Sequence, residues 1–277
     1  MMSKKIIFDG GYLAHRTKSI PFFRNLVVKE KRVGLAFGIM NTIKKYINEG
    51  YEDFAVAWDK GFASHRREIL DSYKSSRKEA IKSSISAEEW GFTETFLGFF
   101  GIKQYYHPEL EADDVMGYFA KQTQESLYIF TVDKDLYQLV SDKVSILHPE
   151  KGLIDDSGVV AEFGVAPKEI PKMLAIAGDR VDDIKGIEGI GYKTASKYIN
   201  KGLPSLTERQ QGLIVDNGDV IDRNLKLTKL KTDIEPLEIK YNKNLDEFER
   251  LINEYEMLSL KELVEDDEQP SITDFVR

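Results

Sequence analysis

The 277-residue sequence predicts an α/β fold: a mainly parallel central sheet with helices on both faces, followed by a helical lobe. Three observations predict it. Short apolar runs at 4–8, 53–58, 127–132 and 144–147 have the length and composition of buried strands. Stretches with helical periodicity at 34–48, 87–100 and 113–124 lie between them, as crossover helices do in parallel sheets. From about Ser157 the strand pattern stops and helices follow at 167–177, 192–200, 218–229 and 246–257. The expected division is an α/β core over 1–156, with an arch or clamp at about 60–100, and a helical lobe over 157–262. A flexible tail over 263–277 follows, because it opens on a run of acids and contains Pro270.

Composition narrows the function classes. The chain is 42% hydrophobic and 31% charged, enough apolar material for one substantial core and a smaller lobe. No run approaches the roughly 18 apolar residues of a membrane span, so no membrane partner is expected. Met1-Met2-Ser3-Lys4-Lys5 leads into an apolar run too short for a secretory signal. Zero cysteines exclude disulfides and thiolate metal sites. The expectation is a cytoplasmic, unsecreted monomer. The net charge of −8 argues at first against a nucleic-acid partner, but it is unevenly spread. Residues 60–82 carry Lys60, Arg66, Arg67, Lys74, Arg77, Lys78 and Lys82 against only Glu68, Asp71 and Glu79.

The acids form a pattern. Three apolar runs end in one: Asp9 after Phe8, Asp59 after Trp58, and Asp133 just beyond Val132. In open parallel sheets ligands bind beyond the carboxyl ends of the strands, so these acids share a rim. Glu111-Ala-Asp113-Asp114 opens a helix, with Glu111 and Asp114 three apart on one face. Asp135 follows Asp133 by two, and Asp179 and Asp182 repeat the spacing of three. Any one of these acids could serve as a helix cap or a turn residue. Together they would repel unless cations neutralised them, and all-oxygen ligands suit Mg²⁺ or Mn²⁺.

Downstream stands Gly186-Ile-Glu-Gly189-Ile-Gly191-Tyr-Lys193-Thr194-Ala195. Glycines turning into a helix expose backbone N–H groups at its positive end, which suits phosphate, and Lys193 adds charge. Such a loop holds a duplex by its backbone rather than by its bases.

With these pieces assembled, the sequence resembles the flap endonuclease/5′-nuclease family. The resemblance rests on Phe8-Asp9-Gly10 with Arg16, Asp59, Tyr73-Lys74 with Arg77, Glu111-Ala-Asp-Asp114 and Asp133-Lys-Asp135. Gly178-Asp179-x-x-Asp182-Asp183 and the 186–195 hairpin complete it. They occur in family order and cover residues 4–260. PIN-type ribonucleases share the opening but lack the 178–195 segment.

The resemblance implies a PIN-like nuclease core and a helix–three-turn–helix, placed at 178–200, that grips duplex and often holds K⁺ through carbonyls. It implies two metal-binding clusters. Asp9, Asp59, Glu111, Asp113 and Asp114 would surround one cation, and Asp133, Asp135, Asp179 and Asp182 a second. Lys74 and Arg77 would contact the scissile phosphate. Arg16, Arg66, Arg67, Tyr73, Gly189, Gly191, Lys193 and Thr194 are the nucleic-acid-binding candidates. Asp183 stands where Asn is commoner. The implied activity is metal-dependent hydrolysis at 5′ flaps and 5′ ends, as flap endonuclease and 5′-3′ exonuclease, with RNA-primer removal in replication or repair. DNA in flap, nicked or RNA-primed form is the expected partner, joined by a sliding clamp or single-strand-binding protein. Gln269, Ile272 and Phe275 approximate a clamp-binding peptide, with Val276 in the place of its last aromatic.

Two rivals are carried alongside. A non-catalytic relative would bind branched DNA through the hairpin without cutting. A phosphotransferase using Asp9 as nucleophile would turn over small phosphoesters, and leaves both the hairpin and the basic stretch unexplained.

Overall fold

The computed structural model describes residues 4–61, 64–75 and 85–265. The central sheet has seven strands: β1 Lys5–Asp9, β2 Asp53–Ala57, β3 Lys103–Tyr106, β4 Leu127–Phe130, β5 Val144–His148, β6 Gly152–Ile154 and β7 Leu237–Glu238. Their order is β7-β3-β2-β1-β4-β5-β6. β1 to β5 pair in parallel, and the edge strands β6 and β7 are antiparallel. β1 lies between β2 and β4, so the crossovers leave it in opposite directions and open a crevice at its carboxyl end. Register aligns that end: Asp9 lies opposite Ala57, and Phe8 opposite Phe130.

The helices that matter below are α1 Gly10–Ser19, α2 Gly34–Asn48, α3 Ser64–Ile69, α4 Ala87–Phe100, α5 Ala112–Gln122, α6 Ile170–Ala177, α7 Tyr192–Lys201, α8 Gly218–Thr228 and α9 Leu245–Glu254. Side chains alternate across the sheet. Ile6, Phe8, Phe54 and Val56 enter one core with residues of α1, α2 and α4. Ile7, Ala55, Ala57, Leu127 and Ile129 enter the other with α5 and α6. α2 buries Leu35, Ile39, Met40, Ile43 and Tyr46, a stripe at helical spacing. Ser86 caps α4 by accepting from the Glu89 N–H, and Gly101 ends it at φ +101°.

Two expectations about organisation differ from this arrangement. The arch was placed at about 60–100, yet α4 is a core helix. The helical lobe was expected to run to 262, yet the chain returns to the sheet after α8. β7 adds to the β3 edge, and the Phe248 ring sits 4.6 Å from that of Phe96 and 5.0 Å from that of Phe100. Leu251, Ile252, Met257, Leu260 and Leu263 join the same core. The strongly one-sided α9 needs an apolar partner, and α4 supplies it.

The helical lobe centres on α6, α7 and α8. Buried Asn224 donates to the Ala175 and Lys185 carbonyls, tying α8 to both sides of the loop after α6. Among the described residues no helix is long and apolar enough to cross a membrane.

Candidate metal centre and nucleic-acid interface

Asp9 ends β1 and caps α1. Its Oδ1 accepts from the Tyr12 N–H at 2.9 Å and its Oδ2 from the Thr131 hydroxyl at 3.0 Å. Gly10 is required at the bend, because a Cβ there would lie 2.6 Å from the Ala57 carbonyl oxygen. A Cβ on Gly11 would lie 3.3 Å from Asp59 Oδ2 and 3.4 Å from Asp9 Oδ1, so the two carboxylates converge across this residue. Asp59 Oδ1 accepts from the Ala112 N–H at 2.8 Å, which ties the β2 end to the start of α5.

Electrostatics groups the acids. Burial pushes the Asp9 carboxyl up to about 7 against the Tyr12 hydrogen bond, and Asp59 and Asp133 push the same way. Asp113 is raised well above the usual carboxylate range by burial and by Asp133, Asp9 and Asp59, with Lys74 opposing. Asp9, Asp59, Asp113 and Asp133, from three strand ends and one helix start, therefore lie near enough to act on one another's charge and are called the first cluster.

The second cluster joins the two lobes. Asp135, Asp179 and Asp182 are all buried, and one carboxylate oxygen of each lies within 4.8 Å of the others. Burial raises Asp135, with Asp133, Asp182 and Asp179 adding to it and Lys134 opposing. Asp135 Oδ1 is buried with no hydrogen-bond partner. An oxygen-only donor set with an orphaned buried oxygen fits a divalent cation, which would remove the like-charge repulsion. Asp133 links the clusters, since it acts on Asp9, Asp113 and Asp135 alike.

Above them lie the turn after α3 and Glu111. Lys74 adopts φ +53°, and its backbone N–H donates to the Asp182 carbonyl. Its Nζ sits 2.5 Å from Glu111 Oε1 and 3.6 Å from Asp182 Oδ2, so it faces both clusters. The Glu111 carboxyl is held low despite its burial, because Lys74 and Arg66 favour its charge. Asp183 sits at φ +58°, a left-handed position that Asn and Asp tolerate better than most residues.

Three of the assigned side chains are engaged within the protein. Arg66 was expected on nucleic acid, but its side chain is 1% exposed. It meets Asp114 through two bonds of 2.7 Å, Glu111 at 2.9 Å, and the Leu227 carbonyl of α8 at 3.0 Å. Asp114 was expected to bind metal. Its oxygens are taken up by Arg66 and by the Glu111 and Lys231 N–H groups, with no exposed surface left. Tyr73 was expected on nucleic acid, yet it is buried, its hydroxyl 2.9 Å from Glu111 Oε2 and 3.1 Å from Asp182 Oδ2. These side chains assemble the site rather than face solvent.

Arg16 lines a pocket of about 250 Å³ between α1 and α2 with Thr42, Lys45 and Phe130, and its Nη1 donates to Thr42 Oγ1. Arg67 is exposed on α3. Arg77 lies outside the described residues, as do Gln269, Ile272 and Phe275.

The glycine hairpin joins α6 to α7. Ile187 and Ile190 are buried anchors, while Glu188, Gly189, Gly191, Tyr192 and Lys193 are exposed between and beyond them. Gly189 takes φ +84°, and a Cβ on Gly186 would lie 2.2 Å from the Gly178 nitrogen. Gly191 caps α7 without a side chain, and the Thr194 N–H donates to its carbonyl. Sequence reasoning missed Thr131, which fixes Asp9, and Lys134, whose only signal was its place between two assigned acids. It also missed Tyr192, whose hydroxyl is raised by burial and, more weakly, by Asp179 and Asp135.

The model of the 5′-3′ exonuclease N-terminal, resolvase-like domain matches residues 4–164. A 5′-3′ exonuclease from Aquifex aeolicus is 32% identical over 241 residues, covering 80% of this chain and 80% of that protein. The thermostable DNA polymerase I of Thermus thermophilus is 29% identical over 257 residues, covering 86% of this chain. The match spans only 30% of that polymerase. Among solved structures, T5 5′-exonuclease with bound divalent zinc superposes with a TM-score of 0.66 at 22% identity, covering 83% of this chain and 90% of that one. Flap endonuclease-1 from Methanococcus jannaschii superposes with a TM-score of 0.57 at 14% identity, covering 93% and 92%. At those identities the structural likeness shows the fold. The family follows from the model, which spans more than half of the sequence, and from the Aquifex relative: this chain belongs to the 5′-3′ exonuclease family.

Proposed function

We propose that this chain is a divalent-metal-dependent 5′-nuclease that hydrolyses phosphodiester bonds at 5′ flaps and 5′ ends of DNA. The observation that carries the reading is the convergence of Asp9, Asp59, Asp113 and Asp133 beside the Asp135–Asp179–Asp182 triad. The all-oxygen donor sets suit Mg²⁺ or Mn²⁺. Bound there, such ions supply activated water and stabilise charge on the attacking and leaving oxygens. Thr131 and the Tyr12 N–H hold Asp9 in its orientation. Lys74, facing both clusters, positions the scissile phosphate and counters its developing charge. The exposed hairpin around Gly189 and Gly191, with Lys193, holds duplex phosphates. The relatives named as 5′-3′ exonucleases and DNA polymerases, and the T5 structure with its divalent ions, support this assignment.

The test is cleavage of an end-labelled 5′-flap duplex with Mg²⁺, with Mn²⁺ and with EDTA. Cuts near the junction that need the metal, and that Asp9→Asn and Asp179→Asn abolish, are expected. Tight binding without any cut would instead identify a branched-DNA-binding relative. Turnover of small phosphoesters with DNA left intact would point to a phosphotransferase.

A further inference from the structure

The second cluster already holds a cation of the protein's own. Lys134 Nζ lies 2.5 Å from Asp179 Oδ2 and 3.6 Å from Asp135 Oδ1. The side chain keeps 25% of its surface exposed and rises from a short 3₁₀ turn over 134–139, directly after the Asp133 cap. It therefore has a solvent side into which its flexible stem can swing while the turn stays in place. The match to the acids is incomplete. The ammonium bonds Asp179, while Asp135 Oδ1 stays buried without a hydrogen bond. The ammonium groups beside the triad, Lys134 and the Lys74 shared with Glu111, do not balance its three carboxylates, which leaves excess negative charge for a divalent ion to meet. Lys74, the other ammonium near this triad, is engaged by Glu111 and reaches Asp182 only at 3.6 Å.

We propose that Lys134 is a resident competitor for the second metal position: its ammonium neutralises Asp135 and Asp179 before metal arrives, and a divalent ion binds there by displacing it. Two consequences follow. Folding does not require metal, because the buried acids have a built-in counter-charge. The second ion binds more weakly than the bare triad would hold it, because it must displace an ammonium and then share the site's edge with it. Lys134 thus sets the metal concentration at which the site fills, as a residue acting on the ion rather than on substrate.

The inference rests on the metal-binding reading above, and the test separates the two. Mn²⁺ is titrated into the full chain without DNA, followed by calorimetry and by loss of the free-ion paramagnetic signal, for wild type, Lys134→Met and Lys134→Arg. Methionine keeps the stem and removes the charge, while arginine keeps the charge. Lys134→Met is expected to bind the weaker of two Mn²⁺ ions about tenfold more tightly or better, with the tighter ion little changed. Lys134→Arg is expected to stay near wild type. In EDTA the methionine variant should melt lower than wild type, and saturating Mn²⁺ should close most of that gap, which also shows that the variant folds. Unchanged or weaker second-ion binding in Lys134→Met overturns the competitor role and leaves the metal site standing. A wild-type chain that binds no Mn²⁺ overturns both.

Discussion

Replacing Arg66 with methionine keeps an unbranched side chain and removes every donor that the guanidinium supplies. In the folded protein those donors meet two oxygens of Asp114, one of Glu111 and the Leu227 carbonyl. The change strands Asp114, which has no solvent-exposed surface. Breaking a buried pair by removing one partner costs about 3–5 kcal/mol. The Glu111 and Lys231 N–H groups still reach Asp114, which favours the lower end of that range. At about 2–4 °C per kcal/mol for a chain of this size, a loss near 3 kcal/mol lowers Tm by about 6–12 °C. Circular dichroism melts in EDTA read this without stabilisation by bound metal. The pair Arg66→Met with Asp114→Leu should recover much of the loss, because the stranded carboxylate is gone. Binding of a labelled duplex across a salt series gives the second readout. An anchor leaves the slope of log K against log salt unchanged, whereas an arginine on phosphate lowers it by about one. An unchanged Tm with a reduced slope would refute the anchoring role and return Arg66 to the DNA-contacting set.

The remaining predictions concern charge at the site. Lys74→Ala should lower flap turnover about 100-fold or more with little change in duplex affinity, read by single-turnover cleavage; full activity would remove its role. Asp9 is raised from 3.8 to about 7 on folding, so the folded state binds more protons than the unfolded chain between those values, and metal-free stability falls as pH rises through that window. EDTA melts from pH 4.5 to 7.5 should show this decline, and Asp9→Asn should flatten it; an unchanged slope in the variant would mean that other groups cause the decline. Lys193→Gln should weaken duplex binding equally across sequences and lower the salt slope by about one, with no change in Tm, because its side chain is exposed.

The rim acids were legible because register is periodic: an acid at the end of a buried strand has one place to go in a parallel sheet. The glycine hairpin was legible for a similar reason, since the apolar residues between its glycines anchor while the glycines turn. β3 was not expected, because Lys103-Gln104-Tyr105-Tyr106 is short and half polar. Gln104 is buried only because its amide donates to the Glu94 carbonyl and accepts from Trp58 Nε1, partners that the local sequence does not announce. Asp113 and Asp114 show a second limit. Neighbours on a helix point about 100° apart, so one of the pair faces the cleft and the other faces away. Which does which depends on Arg66, 48 positions from Asp114 in sequence. The same distance hid Arg66, which reads as one more cation in a basic stretch.

The segment 64–75 connects these observations physically. Arg66 holds α5 through Asp114 and α8 through the Leu227 carbonyl. Tyr73 and Lys74 hold Glu111, at the edge of the first cluster, and Asp182, inside the second. The strand ends and the start of α5 contribute one cluster, the helical lobe supplies two of the three acids of the other, and this short segment bonds to both. Its position and the spacing of the clusters are therefore not independent variables. Each bond that keeps the segment seated also fixes the distance between Asp182 and the strand ends. Lys74 reaches toward both clusters, because its backbone is bonded to the Asp182 carbonyl and its ammonium to Glu111. A substitution that loosens this segment should thus disturb metal binding, and the Mn²⁺ affinities of Arg66→Met, measured beside its melts, carry that expectation.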